Sequence, residues 1–227
     1  MGVFYLTKIK LHSYQNLPLS IQEIIQQFIT DLHNTKWYEY VAVFSGIISV
    51  WYSSKENILV YPIGLISTII YVYLSIDGSL LGEASVNFYY TVMSIIGWYM
   101  WSKKDDGNKV ALKISSASSK EWVKHLLFFG LIYILIYIGL TAYKKYFNEG
   151  PIPWADALAS ASAFTGMWLM TKKKIESWYW WILTNIVSIP LYFVKHYVFT
   201  SVYYIVLLVM AFYGLALWLK KEKQQTI

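Results

Sequence analysis

Seven apolar stretches, each long enough to cross a membrane, follow one another along this chain of 227 residues. They lie near residues 36–53, 57–76, 85–102, 122–142, 153–171, 177–195 and 200–219. A helix needs about 20 apolar residues to cross the hydrocarbon core of a bilayer. Only 14% of the residues are charged and 57% are hydrophobic, which is more apolar surface than a soluble fold of this size can bury. The stretches therefore predict an all-α membrane protein with seven transmembrane helices.

The segment before the first apolar stretch contains a predicted amphipathic helix. Ser20 and Glu23 have the spacing of a capping box, which opens a helix. Beyond it, apolar residues recur on one helical face: Ile21, Ile24, Ile25, Phe28, Ile29 and Leu32. We interpret residues 1–35 as an N-terminal arm whose helix lies at the membrane surface. The alternative is a helix that docks on a partner subunit.

Lysine supplies all 19 basic residues, and the chain contains no arginine. Bidentate arginine clamps for phosphate or carboxylate are therefore excluded. Most of the lysines lie in the loops after the first, third and fifth predicted helices and in the C-terminal tail. By the positive-inside rule these segments are cytoplasmic. We predict a multi-pass protein of the cell (inner) membrane with its C-terminus inside and its N-terminus outside. Because the lysines report topology, we expect a lipid bilayer and no nucleic acid as partner.

Two parts of the chain resemble each other at a constant offset of 117 residues. The matching pairs are Trp37 and Trp154, Glu39 and Asp156, Trp51 and Trp168, Gly97 and Gly214, and Trp101 and Trp218. The offset predicts two three-helix repeats, 36–102 and 153–219. Residues 103–152 join them as a cytoplasmic loop, flexible over its lysine- and serine-rich part 103–124, and a linker helix. Residues 220–227 form a cytoplasmic tail. This 3+1+3 order makes the repeats parallel, and transporters built in this way hold their substrate between the repeats.

Two of the predicted helices carry a stripe of polar and aromatic residues. The stripe of the sixth helix consists of Trp178, Trp181, Asn185, Ser188 and Tyr192, and that of the third of Asn87, Tyr90 and Ser94. An amide inside a membrane is costly unless it faces the interior of a helix bundle. Indole faces stack on flat rings and attract positive charge. We interpret the eight residues as the binding site of a small, flat, polar heterocycle that can be cationic. The alternative is a tryptophan belt with an interhelical hydrogen bond.

The sequence contains no motif that indicates an enzyme. It contains no cysteine, no nucleotide-binding loop, no nucleophile elbow and no zinc motif. Glu39 and Asp156 lie near the outer ends of their helices, where the helix dipole favours an acid in the first turn; proton coupling is the alternative. We expect no catalytic residue, no metal and no cofactor.

Several motifs, in order, resemble those of the nicotinamide riboside transporter (PnuC) family. They are YPIGLIST at residues 61–68, SIIGWYMW at residues 94–101 and the tryptophan-rich sixth helix. The resemblance covers roughly residues 36–220. It implies a fold similar to that of the SWEET sugar transporters, arranged as three, one and three helices and often assembled as a homotrimer.

The resemblance also implies a function, the facilitated uptake of an unphosphorylated vitamin precursor. The substrate would stack near Trp178 and Trp181 and contact Asn185 and Asn87. Nicotinamide riboside is the first candidate, thiamine the second and riboflavin the third. A SWEET-type sugar carrier, or a membrane scaffold or sensor that binds without transport, remain as alternatives.

Overall fold

A computed structural model describes residues 20–77, 81–104, 111–147, 152–195 and 197–225. The described chain forms eight α-helices. They are α1 (Ile21–Asn34), α2 (Trp37–Ser54), α3 (Val60–Asp77), α4 (Leu81–Ser102), α5 (Ser119–Phe147), α6 (Pro153–Thr171), α7 (Glu176–Val194) and α8 (Val198–Gln225). Helices α2 to α8 confirm the seven predicted helical stretches. The predicted N-terminal arm up to residue 19 lies outside the described residues.

Helix α1 begins with the predicted capping box and rests on the start of α8. The Ser20 N–H donates to Glu23 Oε2 (2.7 Å), and the Glu23 N–H donates to Ser20 Oγ (3.3 Å). The Phe28 ring packs 5.5 Å from that of Phe199, and the buried Asp31 carboxylate accepts the Phe199 backbone N–H. Apolar side chains away from this contact are exposed, namely Ile21, Ile25, Ile29 and Leu32.

Three helices of the described chain, α3, α5 and α8, are long and apolar enough to cross a membrane by length and composition. Helix α6 differs because its interior face consists mainly of small residues. Those buried in α6 include Ala155, Ala157, Ala159, Ala161, Ser162, Ala163, Thr165 and Gly166. Small residues lower the hydropathy of a helix but let neighbouring helices approach closely.

The helices pack in two consecutive groups. Helices α2, α3 and α4 contact one another in chain order, and so do α6, α7 and α8. The groups meet where α2 contacts α8 and where α4 contacts α6, while α5 packs on α6. In the described chain no Cα atom of α3 lies within 8 Å of a Cα atom of α7. Side chains of the two helices nevertheless belong to one buried cluster, with Tyr61 from α3 and Trp178 from α7.

Two aromatic pairs have the same geometry in the two groups. The rings of Tyr61 and Trp101 lie 5.2 Å apart at 88°, and those of Trp178 and Trp218 lie 5.5 Å apart at 88°. The Tyr61 ring covers Gly97, one helical turn before Trp101. The Trp178 ring covers Gly214, one helical turn before Trp218. A Cβ atom at either glycine would overlap the ring. Corresponding members of the two pairs are 117 residues apart in the sequence.

The predicted flexible linker is wrong for residues 111–118, which are held in place as an extended segment. The Ser115 N–H donates to the Lys173 carbonyl (3.2 Å), and the Ile175 N–H donates to the Ser115 carbonyl (3.1 Å). The Ile114 side chain is buried in the same core cluster as Trp178 and its ring partner. The lysines and serines of this segment indicated a solvated loop. Its backbone is instead fixed by hydrogen bonds with the turn between α6 and α7.

Candidate functional site

A cavity of ≈ 110 Å³ lies between the two groups of helices. Helices α2, α3, α4, α6, α7 and α8 all contribute to its wall. Six of the eight residues predicted as a site line it: Asn87, Tyr90, Ser94, Trp178, Trp181 and Asn185. The structure thus brings the stripe of α4 and the first part of the stripe of α7 to one space.

The last two residues of the α7 stripe, Ser188 and Tyr192, line a smaller cavity of ≈ 50 Å³. They lie one and two turns beyond Asn185, toward the end of α7 that is near Asp156. Tyr90 lines both cavities. The stripe is therefore continuous along the helix but is shared between two spaces, which the periodicity alone does not separate.

The two tryptophans of the larger cavity differ in how they are held. Trp178 is 1% exposed, and its ring is fixed between Trp218 and the backbone at Gly214. Trp181 is only partly buried and lies over Gly166, whose hypothetical Cβ would be 3.2 Å from the indole. The Tyr90 ring lies 6.3 Å from that of Trp181 at 46°. Of the two indoles, that of Trp181 has the freer face for stacking.

Several buried polar atoms around the larger cavity have no hydrogen-bond partner among the described residues. They are Asn185 Oδ1, Trp178 Nε1, Tyr61 Oη and Tyr203 Oη. An unsatisfied buried polar group costs about 1–3 kcal/mol, so such atoms call for an explanation. A ligand that accepts from the indole N–H and donates to the amide oxygen would satisfy the first two of these four atoms.

Sequence reasoning missed one wall of this cavity. Helices α2, α3 and α8 supply it with Gly46, Ser49, Gly64, Ser67, Thr68, Tyr71 and Tyr203. On α2 and α3 these residues recur three or four positions apart, which places them on one helical face. That periodicity was a usable signal, but small residues at such spacing equally indicate helix packing.

The two repeat-related acids, Asp156 and Glu39, differ in their partners. Asp156 forms an ion pair with Lys195 (Oδ1 to Nζ, 2.6 Å) and accepts the Ile152 backbone N–H (2.7 Å). This is the first-turn role that its position predicts. Glu39 is buried at 1% exposure, and its Oε2 atom has no partner among the described residues.

A cluster of opposite charges lies at the other end of the bundle. It is near the extended segment of residues 111–118, which we call the strap. Lys173 Nζ and Lys221 Nζ contact the two oxygens of Glu56 at 2.8 and 3.0 Å. Burial alone would raise the pKa of Glu56, but the hydrogen bonds and charges of the two lysines outweigh it and keep that pKa below its usual value. The Lys173 ammonium also lies 4.6 Å from the centre of the Trp101 ring. The cluster ties the α2–α3 turn to the α6–α7 turn and to α8.

Comparison with known proteins identifies similar sequences and a similar fold. A family model described as nicotinamide mononucleotide transporter matches residues 36–220. The nicotinamide riboside transporter PnuC of Escherichia coli (strain K12) is 22% identical over 85% of this chain and 89% of its own length. The riboflavin/roseoflavin transporter RibM of Streptomyces davaonensis is 21% identical over 84% of this chain and 88% of its own. The crystal structure of the vitamin B3 transporter PnuC matches with a TM-score of 0.66 and 23% identity over 88% of each chain.

Proposed function

Because the chain belongs to the nicotinamide mononucleotide transporter family, we propose that it carries nicotinamide riboside across the cell membrane by facilitated diffusion. The larger cavity is the observation that supports this substrate. Its wall combines the partly exposed indole face of Trp181 with the amides of Asn87 and Asn185. A flat cationic ring stacks favourably on such a face, and its carboxamide group can exchange hydrogen bonds with an amide.

The charge of the cavity favours the riboside over the mononucleotide. The described residues that line it include no lysine, histidine or carboxylate, and the chain contains no arginine. A phosphate group there would lose its hydration without gaining a cation as partner, which is strongly unfavourable. The nicotinamide ring of the riboside carries a single positive charge, which the aromatic wall attracts.

Riboflavin is the second candidate substrate. The relative from Streptomyces davaonensis, whose name specifies riboflavin and roseoflavin, is nearly as similar to this chain as the nicotinamide riboside transporter of Escherichia coli. This similarity moves riboflavin ahead of thiamine among the alternatives. A flavin is larger and uncharged, so it would gain from stacking but not from the attraction of a cation to the rings.

The proposed topology has seven membrane-spanning helices, α2 to α8, in two parallel three-helix repeats joined by α5. The common offset of the two aromatic pairs supports the repeats, as do the contacts of α2 with α8 and of α4 with α6. The distribution of lysines supports a cytoplasmic C-terminus. The exposed isoleucines of α1 suit the membrane surface. A homotrimer is proposed by resemblance to the family.

Uptake by vesicles that contain the purified protein tests the substrate. Radiolabelled nicotinamide riboside or, in parallel, radiolabelled riboflavin is offered outside, and uptake is measured with unlabelled riboside, mononucleotide or riboflavin as competitor. Binding of the riboside to the purified protein is measured alongside. We expect saturable uptake that the riboside inhibits and the mononucleotide leaves unchanged. Empty vesicles and vesicles with a heat-denatured sample serve as controls.

Each outcome of this experiment has a definite meaning. Inhibition by the mononucleotide as strong as that by the riboside would contradict the argument from the uncharged cavity. Uptake of riboflavin without uptake of the riboside would select the second candidate. Tight binding of the riboside with no flux would favour a sensor or scaffold.

A further inference from the structure

The wall of the larger cavity formed by α2, α3 and α8 contains two glycines that face hydroxyl groups. A Cβ atom at Gly64 would lie 2.8 Å from Ser49 Oγ. A Cβ atom at Gly46 would lie 2.8 Å from Tyr203 Oη and 3.2 Å from Ser67 Oγ. We call this part of the wall the hydroxyl alcove, and it consists of Gly46, Ser49, Gly64, Ser67, Thr68 and Tyr203. Any larger residue at the two glycines would push its side chain into the hydroxyls.

The polar atoms of the hydroxyl alcove are uncharged and can still serve a ligand. Ser49 Oγ donates to the Val60 carbonyl (2.8 Å), so its lone pairs are free to accept. The Thr68 hydroxyl accepts from that of Thr91 (3.0 Å). Tyr203 Oη is buried without a hydrogen-bond partner among the described residues. Neutral donors and acceptors in an otherwise apolar pocket suit the hydroxyl groups of a pentose or polyol.

The two groups of helices differ at the positions of Gly64 and Ser49. At the offset of 117 residues, Gly64 corresponds to Trp181 and Ser49 corresponds to Gly166. In the second group a large indole lies over a glycine, whereas in the first group a glycine faces a serine. One turn away, Tyr61 and Trp178 keep the same ring geometry in both groups. In the first group no ring of the described chain covers Gly64, and Gly64 and Ser49 both line the cavity.

We propose that Gly64 determines substrate specificity, because the alcove it opens receives the hydroxyl-bearing part of the substrate while Trp181 and Asn185 hold the flat ring. Since the backbones of α3 and α7 stay more than 8 Å apart, Cα to Cα, in the described chain, the two parts of the ligand would contact different helices. This inference rests on the proposed function, since it assigns the pentose of the riboside to the alcove. It applies equally to the ribityl chain of riboflavin.

Isothermal titration of the full-length protein in detergent tests the assignment with ligands that differ only in the hydroxyl-bearing part. Nicotinamide riboside is compared with 1-methylnicotinamide, which keeps the cationic ring, and riboflavin with lumiflavin. The variants are Gly64→Ala and Gly64→Ala combined with Ser49→Ala. The double variant removes the oxygen that the new methyl group would meet, and leaves the Ser49 Cβ position at an ordinary 3.6 Å. Gly130→Ala is the matched control, because no atom lies within 4 Å of a Cβ there.

We expect both Gly64 variants to bind the riboside about tenfold more weakly or worse, the usual scale of an overpacked site. Their affinity for 1-methylnicotinamide should stay within about twofold of that of the parent protein, and Gly130→Ala should change neither. Equal loss for both ligands, no loss for either, or full recovery in the double variant would overturn the proposal. The last result would mean that Gly64 only avoids a clash with Ser49.

The two proposals can fail separately. A parent protein that binds the riboside, with Gly64 variants that bind it normally, would overturn the alcove alone. A parent protein that binds riboflavin but not the riboside would overturn the proposed substrate. The alcove would then be supported only if the Gly64 variants bind riboflavin about tenfold more weakly and lumiflavin as the parent protein does. If neither hydroxyl-bearing ligand binds more tightly than its ring fragment, the alcove is rejected.

Discussion

Removing the charge of Glu56 should destabilise the protein more than removing the charge of its partner Lys173. The Lys173 side chain is only 3% exposed, and without Glu56 its ammonium still lies 4.6 Å from the centre of the Trp101 ring. Glu56→Gln therefore leaves a buried ammonium without a carboxylate. Breaking a buried pair from one side costs about 3–5 kcal/mol, and we expect about 3 kcal/mol here because the Glu56 side chain is 17% exposed.

The reverse substitution leaves a partner in place. In Lys173→Met, Glu56 keeps the half-exposed Lys221 at 3.0 Å, and the new side chain is apolar. We expect a loss of about 1 kcal/mol, the scale of a partly exposed pair. Because replacing both members of a buried pair is often nearly neutral, the double variant should be more stable than Glu56→Gln alone.

The free energy of unfolding, measured by circular dichroism in mixed micelles, tests this order in a double-mutant cycle. Glu121→Gln is the control, because it breaks the ion pair with Lys174 (2.9 Å) in which the carboxylate is 38% exposed, and it should cost less than about 1 kcal/mol. The argument is refuted if Glu56→Gln costs no more than Lys173→Met. It is also refuted if the two losses simply add in the double variant.

Four further predictions concern a glycine under a ring, a tryptophan of the cavity, the docking of α1 and the side of the membrane on which the C-terminus lies. Gly214→Ala should destabilise by about 1–3 kcal/mol in the same unfolding assay, because its Cβ would overlap the Trp178 ring. Trp181→Ala should weaken riboside binding, measured by titration calorimetry, by about 1–3 kcal/mol through lost stacking, and normal affinity would remove α7 from the site. Burial raises the pKa of Asp31 from 3.8 to about 6 when α1 is docked on α8. Docked α1 therefore binds a proton more tightly than undocked α1, and docking should strengthen as the pH falls through 6 toward 4. Hydrogen exchange of α1 measures this, and an unchanged pH dependence in Asp31→Asn would contradict it. A reporter fused to the C-terminus should be inaccessible from outside the cell, and external labelling would overturn the lysine-based topology.

The hydrophobic pattern was enough to predict the helices but not the contacts between them. Long apolar runs separated by lysine-rich or glycine-rich breaks located α2 to α8, and the capping box located the start of α1. The strap of residues 111–118 was mispredicted because its order depends on distant partners. Ile114 lies in the core, and the Ala117 N–H donates to the Glu176 carboxylate (2.8 Å), neither of which local composition reveals.

The candidate site was predictable where it uses large polar or aromatic residues. Amides and indoles at helical spacing stand out inside a membrane because they are costly there, and these located the α4 and α7 walls. The opposite wall consists of glycines and short hydroxyl side chains, which are also common at helix interfaces. Only the packing distinguishes Gly64, which borders the cavity, from Gly97, whose missing side chain is covered by a ring.

A structure of the protein with nicotinamide riboside bound, determined by electron cryo-microscopy, tests the central claim most directly. The account predicts the nicotinamide ring in the larger cavity, with its centre about 4.5–7 Å from that of the Trp181 ring. Its carboxamide should hydrogen-bond with Asn185, and its pentose should lie in the hydroxyl alcove. A riboside bound between Ser188 and Tyr192 in the smaller cavity, or outside the helix bundle, would contradict the account.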